Sequence, residues 1–168
     1  YVLVYTPTKR LTWWNTSLGA VPGAMPPLMG WAAATGSLDL GAWMLFAVLY
    51  IWQHPHFFAI AWMYRADYAR GGLKMLPVVQ PDGRNMFAQT ILFSVILIPV
   101  SIAPWLAAMT SWTYLAGALG LGLAMLVASI LFARSRSHVA ARGVLRMSLI
   151  YLPGLLLFMW IDAAIHLP

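Results

Sequence analysis

Met86-Phe-Ala-Gln-Thr90-Ile-Leu-Phe-Ser-Val95-Ile-Leu-Ile-Pro-Val100-Ser-Ile-Ala-Pro-Trp105-Leu-Ala-Ala108 runs for 23 residues without a charged side chain. A bilayer core takes about 20 apolar residues as helix, because no water is present there to satisfy free backbone N–H and C=O groups. The stretch therefore reads as a transmembrane helix. The same reading extends toward the C-terminus to 113–133 and 144–165, and toward the N-terminus to 41–63. A further apolar stretch, 16–35, holds Gly19, Pro22, Gly23, Pro26, Pro27 and Gly30, which break or kink a helix and let neighbours approach closely. The expected fold is all-α: a polytopic membrane helix bundle, one membrane-embedded domain with five spans at about 16–35, 41–63, 86–108, 113–133 and 144–165.

Composition agrees. The chain is 62% hydrophobic and 8% charged, against about 25% charged in an ordinary soluble domain. It has no Cys, which excludes disulfides, thiolate metal sites and cysteine nucleophiles. It has no Glu either, so its carboxylates are Asp39, Asp67, Asp82 and Asp162. The net charge of +6 does not point to nucleic acid, because the cations lie between apolar spans and form no soluble basic face. Lys9 and Arg10 precede the first span. Arg65, Arg70, Lys74 and Arg84 separate the second from the third, and Arg134, Arg136, Arg142 and Arg146 the fourth from the fifth. The other connections, 36–40 and 110–112, and the tail after 165 carry none. All ten cations thus fall on one side, which the positive-inside rule assigns to the cytoplasm, with the C-terminus opposite. The expected location is the cell inner (plasma) membrane, crossed several times. Tyr1-Val-Leu-Val-Tyr5 reads as the last turn of a preceding helix, with no charged region of a signal peptide before it, so a C-terminal piece of a longer protein is expected.

Three segments converge on the basic side: Tyr5-Thr-Pro-Thr-Lys9-Arg10-Leu-Thr12-Trp-Trp-Asn15, Trp52-Gln53-His54-Pro55-His56-Phe57, and Asp67-Tyr68-Ala-Arg70-Gly-Gly-Leu-Lys74-Met-Leu-Pro77. The first and third combine cations with hydroxyls, a chemistry suited to an anionic ligand such as a diphosphate. Lys9 and Arg10 serve equally well as topogenic anchors at lipid headgroups. Gln53, His54 and His56 lie inside a span, where unpaired polar groups are costly. They either form a site or bond between helices. A histidine-only metal site is disfavoured, since no His-x-x-x-His spacing occurs. If the second span continues as helix, Asp67, Arg70 and Lys74, at i, i+3 and i+7, share one face. Asp67 can hold Mg²⁺ or simply pair with Arg70, and spacing alone favours the pair. Asp82 reads as a turn residue, Asp39 as a helix N-cap, and Asp162 as interfacial or paired with another helix.

At these same residues the sequence resembles the UbiA-type intramembrane prenyltransferases. Tyr5-x-x-x-Lys9-Arg10-x-Thr12 carries the general likeness. Asn15-Thr-Ser-Leu-Gly19-Ala-Val-Pro22-Gly23-Ala-Met-Pro26-Pro27-Leu-Met-Gly30-Trp31, the Trp52–Phe57 segment and Asp67-Tyr68-x-x-Gly71-Gly72-x-x-Met75-Leu76-Pro77-Val78 narrow it to the heme O synthase branch. The resemblance implies nine helices, of which these spans are the last five, and an active site facing the cytoplasm. It also implies transfer of farnesyl from farnesyl diphosphate to a vinyl group of heme b, with addition of water, giving heme o and diphosphate. Heme b is then substrate rather than cofactor, and Mg²⁺ is the implied cofactor, ligated by Asp67. Lys9 and Arg10 join Asp67 as catalytic residues. Tyr5, Thr12, Asn15, Gln53, His54, His56, Tyr68, Arg70 and Lys74 become substrate-binding residues, the histidines meeting heme through propionates, iron or vinyl. Where other superfamily members pair a second aspartate, position 71 is Gly, as in the heme branch. The family's first acidic motif, Asn-x-x-x-Asp-x-x-x-Asp, would precede residue 1, so the chain alone is expected to be inactive. Besides the lipid bilayer, heme A synthase and terminal-oxidase assembly are the implied protein associations.

Two other readings are weighed. Another UbiA-type aromatic prenyltransferase, acting on a phenolic acid, lacks the His-Pro-His cluster. A transporter or assembly subunit would use the broken first span as a pathway. It predicts an internal repeat and polar residues at mid-membrane, whereas no repeat is visible and the polar groups gather toward the basic side.

Overall fold

A computed structural model of the chain describes residues 12–166. Its helices are α1 (Asn15–Gly23), α2 (Met25–Thr35), α3 (Leu40–Met63), α4 (Arg65–Arg70), α5 (Leu76–Val79), α6 (Arg84–Leu106), α7 (Trp112–Ser135) and α8 (His138–His166), with no strand among the described residues. Four of them, α3, α6, α7 and α8, are long and apolar enough to cross a bilayer. The protein is a multi-pass helical membrane bundle.

The stretch 16–35 is not one uninterrupted helix. It divides at Ala24 into helices of 9 and 11 residues, each too short to cross on its own. Pro26 and Pro27 lack the N–H groups that would bond back to Pro22 and Gly23. Proline is tolerated in a first helical turn, where those N–H groups have no intrahelical partner in any case, so the pair ends α1 and starts α2. The two pieces run antiparallel along α3. α1 meets it at Gln53, which bonds the Ala20 carbonyl. α2 meets it at Gly41, where a β-carbon would lie 2.5 Å from the Trp31 ring.

α3, α6, α7 and α8 form a four-helix bundle in which α6 and α7, and α7 and α8, are sequence neighbours, and α3 closes the set against both α6 and α8. Phe58, Leu97, Tyr114, Met125, Phe132, Tyr151 and Leu155 fill its centre. Lipid tails are as apolar as leucine, so close packing and interhelical hydrogen bonds must hold such a bundle together. Ser94 meets Ser129 at 2.8 Å, the Tyr114 hydroxyl donates to the Ser101 carbonyl at 2.7 Å, and the Tyr151 hydroxyl bonds the Ser101 hydroxyl. Gly117 admits the Phe158 ring onto the α7 backbone.

The ends of the bundle are tied separately. Trp62 Nε1 donates to the Arg136 carbonyl at 3.1 Å, and the Arg65 guanidinium lies 4.4 Å over the Trp62 ring. Arg136 Nη1 reaches the Asp82 carbonyl at 3.4 Å. The connections after α3 and α7 therefore meet, and the Lys and Arg residues among the described positions gather at or near that end. At the other end, Asp39 caps α3 by accepting from Gly41 N at 3.1 Å. The carboxylate of Asp162 accepts from both the backbone N–H, at 2.8 Å, and the hydroxyl of Ser111, the N-cap of α7. Asp162 is thus paired with another helix, one of the two readings its position allowed.

Candidate functional site

At the basic end, α1, α3, and α4 with the segment after it line a cavity of about 440 Å³. Small residues create the space: Asn15, Gly19, Pro22 and Gly23 all line it, at i, i+4, i+7 and i+8 along one face of α1. Gln53 and Phe57, one turn apart on α3, form the facing wall, and Tyr68, Leu73 and Met75 close the third side.

Hydrogen bonds fix the polar members. Asn15, 1% exposed, donates from Nδ2 to the Lys74 carbonyl at 3.2 Å and accepts from the Thr16 hydroxyl at 3.3 Å. Gln53 Nε2 donates to the carbonyls of Ala20 at 3.2 Å and Leu49 at 3.1 Å. Its Oε1 is left against Gly23, where any side chain would collide with it. Burial, and secondarily the neighbouring Tyr64, push the Tyr68 phenol above its ordinary pKa. It therefore stays a neutral hydrogen-bond donor at physiological pH.

The polar trio of the second span separates: at about 100° per residue His54 points away from the other two, while Gln53 and His56, roughly 60° apart, meet different helices. Gln53 faces α1 and the cavity. His54 is fully buried: Nδ1 bonds the Tyr50 carbonyl at 2.9 Å, Nε2 meets the Ser17 hydroxyl at 3.1 Å, and the ring stacks on Phe93 with centroids 3.7 Å apart. His56 turns to α8, with Nδ1 2.8 Å from the Ser148 hydroxyl and its ring stacked on Trp52.

Asp67 forms an ion pair with Arg70 on the surface of α4, their side chains 55% and 76% exposed. Such a pair contributes little to stability. Lys74 does not share that helix face, because α4 ends at Arg70 before Gly71 and a left-handed Gly72; its carbonyl is held by Asn15 while the residue itself is exposed. Thr12 accepts from Trp14 N at 3.3 Å and is not part of the cavity wall. Tyr5, Lys9 and Arg10 lie outside the described residues.

Among the described residues no three His, Cys, Asp or Glu side chains converge on a metal position. The donor set suits Mg²⁺ in one way only. Mg²⁺ commonly takes one or two carboxylates and completes its octahedron with water and substrate phosphates, and Asp67 supplies one exposed carboxylate beside cations suited to a phosphate.

Sequence reading passed over Thr16, Gly19, Pro22, Gly23, Phe57, Leu73 and Met75 as wall residues, although the helical spacing of the small residues on α1 was a usable signal. Ser17 and Ser148, 37 and 92 residues from the histidines they hold, left none.

The cavity thus joins the polar side chains of Asn15, Thr16, Gln53 and Tyr68 to an otherwise apolar wall, beside the loop that carries Arg70 and Lys74. Residues 1–161 match the UbiA prenyltransferase family, and the chain belongs to it. It is 52% identical over 162 residues to a protoheme IX farnesyltransferase of Solibacter usitatus, covering 96% of this chain and 56% of that protein. It is 49% identical over 162 residues to one of Salinibacter ruber (96% and 57%) and 43% identical over 173 residues to one of Rhodopirellula baltica (98% and 60%). The chain thus spans a little over half the length of these relatives. No solved structure matches it.

Proposed function

We propose that this chain takes part in farnesyl transfer from farnesyl diphosphate to a vinyl group of heme b, yielding heme o and diphosphate for the heme groups of respiratory oxidases. The observation that carries the reading is the 52% identity to a relative named for that reaction, sustained over 96% of the chain. In the reaction the allylic C1–O bond of farnesyl diphosphate breaks and its electron pair leaves with the diphosphate. The vinyl π electrons form the new bond to C1, and water captures the resulting cation and loses a proton.

Each residue follows from the charge that develops. Lys9 and Arg10 neutralise the departing diphosphate, with Arg70 and Lys74 assisting from the loop over the cavity, since stabilising leaving-group charge favours an allylic cation. Tyr5 and Thr12 are assigned to binding the same diphosphate. The neutral Tyr68 phenol donates to a phosphate oxygen. Asn15 and Gln53 line the space in which the substrates meet, and the apolar helix faces keep water from the cation until the new bond has formed. Mg²⁺, when bound through Asp67 and the diphosphate, supplies further neutralisation of phosphate charge. The α1–α2 pair forms a fifth crossing, the basic connections face the cytoplasm, and the end of α8 lies on the opposite side. An upstream part like that of the relatives completes the site, and heme A synthase or oxidase assembly receives the product.

The test joins the chain to the upstream part of the Solibacter usitatus relative. Membranes holding this fusion receive labelled farnesyl diphosphate, Mg²⁺, and heme b together with 4-hydroxybenzoate. Label entering heme, and none with the chain alone, is the expected result. Label entering the phenolic acid instead would move the protein to another branch of the family.

A further inference from the structure

We propose that Nε2 of His56 is the axial ligand of the acceptor's iron, with Ser148 as its positioning residue. This rests on heme b being the acceptor.

The hydrogen bonds settle where the proton of His56 resides. The Ser148 hydroxyl donates to the Leu145 carbonyl at 2.7 Å, so toward His56 Nδ1, 2.8 Å away, its oxygen acts as acceptor. Nδ1 therefore carries the proton and Nε2 the lone pair. Trp52 locks both partners: its ring stacks on the imidazole with centroids 5.0 Å apart, and its Nε1 donates to the Ser148 carbonyl at 2.9 Å. A neutral imidazole whose other nitrogen donates to a fixed acceptor is the usual state of a metal-ligating histidine.

Nε2 is also reachable. Among the described residues, the buried side-chain nitrogen and oxygen atoms without a partner are Trp31 Nε1 and Thr110 Oγ1. Nε2 of His56 has no partner among the described residues and is not one of these sealed atoms, and the residue is only half-buried, so the atom can be reached. An open acceptor within a membrane span calls for a partner of its own. His54 offers no such lone pair: its Nδ1 donates to the Tyr50 carbonyl and its Nε2 accepts from Ser17. His56 also stands in the right place. Helical geometry sets it roughly 60° around α3 from Gln53, on the side toward α8. His56 is not itself in the wall of the cavity that Gln53 lines, so a ligand on its Nε2 would lie beside that cavity.

The experiment uses the fusion described above in lipid nanodiscs, with hemin and metal-free protoporphyrin IX as probes. Hemin should give a shifted Soret band and, once reduced to the ferrous state with dithionite, an iron–histidine stretch in the resonance Raman spectrum. His56→Ala should lose both and recover the Soret shift on addition of imidazole, which also shows that the variant is folded. Ser148→Ala should weaken hemin binding by about 10- to 100-fold and leave metal-free porphyrin binding unchanged. His54→Gln should keep the iron–histidine band. A band that persists in His56→Ala, or hemin affinity untouched by Ser148→Ala, would overturn the assignment. Equal binding of both porphyrins without the band would remove iron ligation and leave the acceptor reading intact. Binding of neither by the folded protein would remove both.

Discussion

Asn15→Ala should free the loop that roofs the cavity. Asn15 is buried, and among the described residues its one long-range bond, Nδ2 to the Lys74 carbonyl at 3.2 Å, joins α1 to a chain segment 59 residues away. Lys74 is exposed, so after the substitution water can satisfy its carbonyl. The loss is then the net value of one hydrogen bond, about 1 kcal/mol, and not the larger penalty of a sealed orphan. An opening equilibrium shifted by about 1 kcal/mol changes roughly fivefold. Trypsin reads that opening directly, since Arg70 and Lys74 are both cleavable and both lie between Tyr68 and Met75, two residues of the cavity wall. When the loop opens and closes faster than it is cut, the cleavage rate follows the open fraction. Mass spectrometry of timed digests should show cuts after Arg70 and Lys74 accelerating about fivefold, with cuts after Arg142 in α8 unchanged. Unchanged loop cleavage in a folded variant would refute the role given to Asn15. Equal acceleration at every site would show that the bond supports the whole bundle instead.

Gly117→Ala drives a β-carbon into the Phe158 ring, whereas a β-carbon at Gly120 meets nothing within 4 Å. Melting in detergent should show the first variant destabilised by about 1–3 kcal/mol and the second unchanged or stabilised by up to about 1 kcal/mol. Asp162→Ala removes the acceptor for both the N–H and the hydroxyl of Ser111, and should lower stability by roughly 3 kcal/mol in the same measurement. Because the Tyr68 phenol is raised in the folded protein above its ordinary value of 10.0, the unfolded chain ionises first as pH rises. Its contribution is intact below pH 10 and is lost as pH climbs through the folded value, so a pH series of melting curves should fall less steeply at alkaline pH in Tyr68→Phe.

The bundle was legible because α3, α6, α7 and α8 are each continuous apolar runs with charges only near their ends, and hydrophobic length in a bilayer leaves few alternatives. The gathering of Arg65, Arg84, Arg136 and their neighbours at one end followed from the same pattern. Pro26 and Pro27 announced a break, yet the sequence left open whether they bend one helix or separate two, since that depends on how α3 supports each piece. Gln53, His54 and His56 look like a cluster in sequence; helical rotation sets His54 apart from the other two, whereas Gln53 and His56, roughly 60° apart, are divided by their partners, Ala20 on α1 and Ser148 on α8. Asn15 with Lys74, and His56 with Ser148, depend on how distant segments pack, and no local spacing encodes them. The Asp67–Arg70 pair was readable from its i, i+3 spacing, and it formed.

The most direct measurement maps where the donor lies. A photoreactive farnesyl diphosphate analogue would be irradiated on the active fusion, and the labelled residues found by peptide mass spectrometry. Label is expected on the cavity wall, at Asn15–Gly23 or within residues 68–75, with competition by unlabelled farnesyl diphosphate. Competable label confined to the far end, around Trp31, Met109 and Asp162, would contradict it.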